Sequence, residues 1–319
     1  MNAVTFDSLY MERVWGGREL ETIYRRKLPS DNHPYGEAWE MTDRTDEQSI
    51  VNHGPLKGYS LNDLWQKKRD EIFGTGFENT SRFPLLIKIL DARDKLSIQV
   101  HPPASIASEL GGEPKTEMWY IAETSPDAKL YVGLKSGISK TDFYDAIENG
   151  EVGEVVHCIT PKRGDSIFIP SGRLHAIGAG LLIYEIQQNS DTTYRVFDWN
   201  RLGLDGKPRE LHIESSMRCI DFDDIEPSMD EPDGIHLAHC PYFSVDRIEI
   251  VANQSISNPD ADRFSIVTVI SGEIESSDGR IHRAGDFLLL PRACLSLRAT
   301  TNCRLLQTTI PQQDRAKQK

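Results

Sequence analysis

Apolar and polar residues alternate in short runs along most of the chain, and glycine or proline interrupts the runs at close intervals. That two-residue period with frequent turn formers is the pattern of half-buried strands. Residues 1–55 carry it, with punctuation at Gly16-Gly17, Pro34-Tyr35-Gly36 and Gly54-Pro55. From Pro84 to Val100 the chain reads as two strands joined by a turn at Asp91-Ala92-Arg93-Asp94; Met118–Ala122 reads as a third, and more follow from Gly164 to Ile186. The period lengthens between Ser60 and Phe73, where Leu61, Leu64, Trp65 and Ile72 fall at helical spacing behind a serine suited to capping. A second helix is predicted over Lys140–Asn149. Residues 221–234 are acidic, contain two prolines and read as a solvated linker. The expected architecture is mainly β, with a first domain over residues 1–220 that carries short helical insertions and a second over residues 235–319. The polar tail Gln312–Lys319 is expected to fray.

Composition removes several classes of partner. Lys and Arg number 36 against 49 Asp and Glu, a net charge of −13, so a nucleic-acid backbone is not an expected partner. The longest apolar stretches, such as Leu288-Leu289-Leu290, fall far short of a bilayer span, and no membrane partner is expected. The segment Met1–Asp7 lacks the basic and apolar regions of a signal peptide, which points to the cytoplasm. Cys158, Cys219, Cys240, Cys294 and Cys303 never approach a Cys-x-x-Cys spacing; they argue against a disulfide framework or a thiolate zinc site and read as free core thiols. Nothing in the pattern specifies an oligomeric state.

The chain repeats itself. Gly164-Asp-Ser-Ile-Phe-Ile-Pro170-Ser-Gly172-Arg-Leu-His175 recurs as Gly285-Asp-Phe-Leu-Leu-Leu-Pro291-Arg-Ala293-Cys-Leu-Ser296. The first copy matches Gly-x5-Pro-x-Gly-x2-His, the second sequence motif of the cupin jelly roll, so two cupin-type barrels are expected. In that motif Gly-Asp makes a hairpin turn, five residues form a strand, and Pro-x-Gly turns the chain so that the last residue points inward. His175 holds that place in the first copy and Ser296 in the second, so only the first barrel is expected to bind a metal. Its interior is expected to hold one ion per chain, and the second to be filled by Val267, Val269, Leu288 or Leu290.

Upstream lie Gln99-Val100-His101-Pro102 and Lys115-Thr116-Glu117. The cupin pattern has histidine where Gln99 stands. Alternation puts Gln99 and His101 on one face of a strand, and Glu117 and His175 enter from neighbouring strands. Two imidazoles, one carboxylate and one amide oxygen suit zinc and leave the site with net positive charge. The other histidines, His33, His53, His157, His212, His236, His239 and His282, lack such spacing and read as structural or surface residues.

With these motifs in place the sequence resembles the type I phosphomannose isomerases, in particular their short bacterial class. The likeness runs through Trp15-Gly16-Gly17, Gly36-Glu37-Ala38-Trp39-Glu40, Pro84-Leu85-Leu86-Ile87-Lys88, Leu96 to Pro102, Lys115 to Tyr120, and Gln187-Gln188-Asn189-Ser190-Asp191-Thr192-Thr193-Tyr194-Arg195 to Trp199. It covers nearly the whole chain and is weakest at the C-terminal repeat. The resemblance implies zinc-dependent interconversion of mannose 6-phosphate and fructose 6-phosphate, with zinc ligands at Gln99, His101, Glu117 and His175 and active-site positions at Lys88, Lys115, Glu185 and Arg195. The long helical insert of larger members is reduced here to about residues 136–150.

The chemistry of the residues agrees. An aldose–ketose isomerase must move a proton between adjacent carbons and hold an enediolate. Arg195 can hold an enediolate oxygen or the phosphate. Lys88, within an apolar strand, is a possible base if it points inward, and Lys115 shares a face with Glu117. Glu185 faces either cavity or solvent, and the spacing does not choose which group takes the proton. Glu37 and Glu40 read as exposed acids around a packed Trp39. No glycine-rich loop precedes a helix, so side chains must hold the phosphate and no nucleotide cofactor is expected. A cupin dioxygenase holding Fe(II), or a sugar-binding bicupin without catalysis, is the alternative; Gln99 and the nearby cations count against the first, and the intact ligand set against the second.

Overall fold

A computed structural model of the protein describes residues 1–77 and 80–312. The expectation of a frayed tail at residues 313–319 lies outside them. Antiparallel strands dominate, with six short helices among the described residues. In chain order the first eleven strands are β1 (Leu9–Gly17), β2 (Tyr35–Met41), β3 (Leu85–Ala92), β4 (Ile98–Val100), β5 (Glu117–Thr124), β6 (Leu130–Leu134), β7 (Val156–Ile159), β8 (Ser166–Ile169), β9 (His175–Ile177), β10 (Leu181–Gln188) and β11 (Tyr194–Phe197). They form a six-stranded sheet ordered β1-β2-β3-β10-β5-β8 and a five-stranded sheet ordered β11-β4-β9-β6-β7. The later strands are β12 (His236–His239), β13 (Ser244–Ile250), β14 (Ser255–Ile256), β15 (Ser265–Ser271), β16 (Glu273–Glu275), β17 (Ile281–Arg283), β18 (Phe287–Leu290), β19 (Leu297–Ala299) and β20 (Cys303–Thr309), in sheets ordered β12-β13-β20-β15-β18 and β14-β19-β16-β17. These pairings describe open sheets, with no closed barrel among the described residues.

The chain divides into two compact units. A central unit takes Tyr10–Ala38 and Ile87–Asp230; a terminal unit takes Met1–Leu9, Trp39–Leu86 and the chain from Glu231 on. Residues 39–86 thus belong with the C-terminal strands and not with the strands that precede and follow them in the chain. Ser60 caps the helix Leu61–Lys67 through a reciprocal bond pair with Asp63. That helix stops at Lys68 and restarts as Arg69–Ile72, since the Arg69 Nε takes the Trp65 carbonyl at 2.9 Å that a continuing helix would offer to a backbone N–H. Trp65, Phe73 and Phe83 then pack edge to face and tilted with Phe264.

In the central unit Leu90, Trp119, Ile121, Ile167, Ile169, Leu181 and Ile183 of the six-stranded sheet pack with Leu130, Val132 and Ile177 of the five-stranded one. The other face of the smaller sheet is closed by Phe143 and Val152 from helices Lys140–Asn149 and Val152–Val155, and by Cys219 from helix Ile213–Cys219. The Lys140–Asn149 helix has the expected bounds, with Ser139 as N-cap and Gly150 in the left-handed conformation after it. Strand β3 runs through Ala92 where a turn was expected at Asp91, whose buried carboxylate accepts the N–H groups of Glu19 and Leu20. Of the cysteines, Cys219, Cys240 and Cys303 are buried, whereas Cys158 is exposed.

The repeat is real at the level of hydrogen bonds. Asp165 Oδ2 accepts the Lys162 N–H, and Asp286 Oδ2 accepts the Arg283 N–H. Gly164 and Gly285 share φ near +90° (91° and 89°), and Gly172 and Ala293 are both left-handed. The copies part at the next step. Ser296 is exposed and Leu297 carries the inward position, so the expectation of an inward serine is corrected by one residue. Val267, Val269, Leu288 and Leu290 all enter the core there.

Candidate active site

Register builds the site. On the five-stranded sheet Gln99 of β4 lies directly opposite His175 of β9 on one side and Arg195 of β11 on the other. Directly paired residues share a face, so a histidine, an amide and a guanidinium stand in one row across three strands. His101 follows β4 immediately, and Glu117 opens β5. The carboxylate of Glu117 lies 3.4 Å from His101 Nε2 and 3.6 Å from His175 Nε2, and Gln99 Nε2 is 3.3 Å from His175 Nε2. The ligand-type atoms of His101, Glu117 and His175 lie within 4.8 Å of one another, and all three residues are buried. The structure thus brings together the four residues whose spacing suggested ligands.

Their hydrogen bonding fits a cation. His101 Nδ1 donates to the Thr192 carbonyl and His175 Nδ1 to the Arg173 carbonyl, both at 2.9 Å, which leaves each Nε2 lone pair aimed inward. His101 Nε2 and Glu117 Oε1 are buried without a hydrogen-bond partner. Such orphaned acceptors are costly unless an ion completes them. Burial first, then the Lys115 charge, pushes the His101 pKa down to about 3, and burial lowers that of His175. Both imidazoles are therefore neutral at pH 7, as metal ligation requires. Burial opposes the Glu117 carboxylate, but Lys115, His101 and His175 outweigh it and hold its pKa well below the usual range.

A cavity of about 580 Å³ opens over this cluster; Gln99 and His175 line it, and so do Lys88, Lys115, Glu185 and Arg195. Lys88 is 3% exposed, so it points inward, with its Nζ 3.6 Å from Glu185 Oε2 and 4.0 Å from Glu37 Oε2. Lys115 Nζ lies 2.9 Å from Glu117 Oε2, on the face that alternation assigned. Burial works against its ammonium, yet Glu117 and Glu185 together keep its pKa above the usual lysine range. Glu185 faces the cavity, receives the Trp119 indole N–H at 3.2 Å, and has its pKa raised to about 7 by burial and by the charge of Glu117. Arg195 donates to the Glu210 carbonyl at 2.8 Å.

Two residues of the cavity, Glu37 and Arg209, escaped the reading of the sequence. Glu37 and Glu40 are buried, not exposed; Glu37 lines the cavity and is clamped by both Arg13 Nε and Nη2. The signal was the unbroken burial of strand β2, which alternation alone could not show. Arg209 also lines the cavity, from a segment that carried no motif.

Fold and site together define a mainly β protein with a buried His–Glu–His cluster under a cavity rich in charge. A family model described as phosphomannose isomerase type I, catalytic domain, matches residues 4–123. Mannose-6-phosphate isomerase ManA of Bacillus subtilis is 37% identical over 302 residues, 90% of this chain and 92% of its own. The mannose-6-phosphate isomerase of Streptococcus mutans is 35% identical over 295 residues, 89% of this chain and 91% of its own. The crystal structure of the Bacillus subtilis mannose 6-phosphate isomerase superimposes with a TM-score of 0.86 at 32% identity, covering 97% of this chain and 100% of that one. The chain belongs to the type I phosphomannose isomerases, a family of enzymes.

Proposed function

We propose that the protein is a zinc-dependent isomerase that interconverts mannose 6-phosphate and fructose 6-phosphate through an enediolate, in the cytoplasm. The observation that carries this reading is the buried cluster of His101, Glu117 and His175, with orphaned acceptor atoms, beneath a cavity lined by Lys88, Lys115, Glu185 and Arg195. Each unit is read as a cupin-type jelly roll, and one zinc ion per chain would be held by Gln99, His101, Glu117 and His175 in the central one. Zinc there supplies Lewis acidity toward substrate oxygens on which negative charge develops.

The chain's own residues do the rest. Lys115 and Arg195 set positive charge beside the site of the developing enediolate. The Lys88–Glu185 pair carries the proton: a carboxyl with a pKa near 7 accepts it at one carbon and returns it at the next at little cost in either direction. Trp119 holds Glu185 in place through its indole N–H. A coupled assay of fructose 6-phosphate formation from mannose 6-phosphate tests the reading. Chelation is expected to abolish the rate and zinc to restore it; full activity in verified metal-free protein would overturn it.

A further inference from the structure

Five neighbouring strands of the six-stranded sheet each give one side chain to the wall of the cavity: Arg13 from β1, Glu37 from β2, Lys88 from β3, Glu185 from β10 and Trp119 from β5. All five belong to the central unit. Charge alternates along the first four, and the Trp119 indole N–H ends the series by donating to Glu185. In such a series each inner member has two partners to choose from. Lys88 has two carboxylates within ion-pair distance, Glu185 at 3.6 Å and Glu37 at 4.0 Å. Both are buried, where opposite charges attract more strongly than in water, so whatever holds one of them back decides which the ammonium serves.

Arg13 holds Glu37. Its Nε donates to Glu37 Oε1 at 3.3 Å and its Nη2 to Glu37 Oε2 at 3.0 Å, a two-pronged contact that fixes where the carboxylate lies as well as balancing its charge. Its Nη1 donates to the Glu12 carbonyl at 3.1 Å, so all three side-chain nitrogens are engaged by the protein itself. Its backbone N–H donates to the Pro34 carbonyl at 3.2 Å, which ties β1 to the approach of β2. Gly36 makes room for this: a Cβ there would come within 2.6 Å of the Arg13 Cβ. Glu37 is thus kept closer to Arg13 than to Lys88, and Lys88 is left closer to Glu185.

We propose that Arg13 is a positioning residue for the isomerisation: by binding both oxygens of Glu37 it keeps that carboxylate off Lys88 and reserves the ammonium for Glu185. Arg13 then acts through Glu37 and contributes to turnover, not to affinity for the sugar. The inference deepens the isomerase reading and rests on it for the role of the Lys88–Glu185 pair.

The test uses the zinc-loaded enzyme. Arg13→Met, which removes the clamp and keeps most of the stem, is expected to lower kcat for mannose 6-phosphate about tenfold with KM within about twofold, since the loss is of alignment in a reacting pair and not of substrate binding. Arg13→Lys keeps the charge without the fork and is expected to recover part of the rate. In a Glu37→Gln background no carboxylate remains to be held back, so the same Arg13→Met change is expected to lower kcat less than about twofold. A crystal structure of Arg13→Met is expected to show the Glu37 carboxylate within about 3 Å of Lys88 Nζ, and Lys88 farther from Glu185 than in wild type. The inference is overturned if KM rises while kcat holds, which would make Arg13 a substrate contact, or if Arg13→Met costs the same factor with and without Glu37. It is overturned equally if Glu37→Gln keeps no rate, which would make Glu37 a reacting group, or if Arg13→Met lowers only the melting temperature. If wild type turns over no mannose 6-phosphate, the isomerase reading fails instead, and the crystal structure still decides whether Arg13 holds Glu37 away from Lys88.

Discussion

The two units carry one strand–turn–strand repeat and fill its interior in opposite ways. In the central unit Ile121 exchanges hydrogen bonds with Gly164 and Asp165; in the terminal unit Val269 does the same with Gly285 and Asp286. Counting from there, Glu117 pairs with Ile169 as Ser265 pairs with Leu290. Glu185 lies opposite Trp119 as Gln307 lies opposite Val267. Where one unit buries two carboxylates with two lysines, the other buries Ser265, Gln307 and Asn258, which bond one another at 2.8 and 3.0 Å. At these matching positions both interiors are polar, but only those of the central unit carry charge. Buried charges with unsatisfied acceptors destabilise a fold, and a neutral, closed network does not. The backbone accepts either filling, so the charged one is explained by chemistry and not by folding.

The largest expected effect breaks the comparison at its metal. His101→Ala and His175→Ala should lose bound metal and at least about a thousandfold in kcat together, because loss of the ion removes the main stabiliser of charge on substrate oxygen. His282, buried in the terminal unit against Ser276, is the control; its alanine variant should keep metal and rate. Metal analysis of wild type should give close to one ion per chain. A second ion that survives His175→Ala would show that the neutral interior is not neutral in function.

Glu185→Gln converts the charged position into its counterpart Gln307. We expect kcat to fall about a hundredfold or more, the usual contribution of a positioned acid–base group. The same change should alter stability with pH. Burial raises the Glu185 pKa from an ordinary 4.5 to about 7, so the native state binds a proton that the unfolded chain releases. That contribution is fully present below about pH 4.5 and is lost as pH rises through 7. In chelated protein, the melting temperature of Glu185→Gln relative to wild type should therefore climb between pH 5 and pH 8. A difference that stays flat, or shrinks, would mean that Glu185 is not held protonated by its surroundings.

Much of this contrast was legible in the chain because it is written in local spacing. Gly164–His175 states a turn, a strand and an inward residue in twelve letters, and Gln99-x-His101 and Lys115-x-Glu117 state shared faces; the structure honours all three. What escaped has long-range causes. Arg69 ends a helix by capturing the Trp65 carbonyl, and Asp91 extends a strand by binding the N–H groups of Glu19 and Leu20, contacts that periodicity does not register. Glu37 looked exposed because its burial comes from Arg13 and Lys88 on neighbouring strands. Ser296 was placed inward by counting from Gly285, and the structure moved that role one residue on, to Leu297, since nothing polar there needs to reach a site.

The smallest expected effect tests whether the neutral network is only structural. Ser265 donates to Asn258 Oδ1 and accepts from Gln307 Nε2, while Asn258 Nδ2 keeps the Pro291 carbonyl and Gln307 Nε2 keeps the Ser257 carbonyl. Removing the hydroxyl in Ser265→Ala thus strips one partner from each neighbour without orphaning either side chain entirely. The cost should be about 1–3 kcal/mol, the penalty for an unmet buried polar group. None of the three side chains titrates between pH 5 and pH 8, so the drop in melting temperature should be the same at both ends, unlike that of Glu185→Gln. Isomerase rate per folded molecule should match wild type, because no member of this network lines the cavity of the central unit. Thermal melts at the two pH values beside the coupled assay make the check. A pH-dependent loss, or a lower rate from fully folded protein, would mean that the terminal unit's polar interior contributes to the reaction and that the two fillings differ in degree, not in kind.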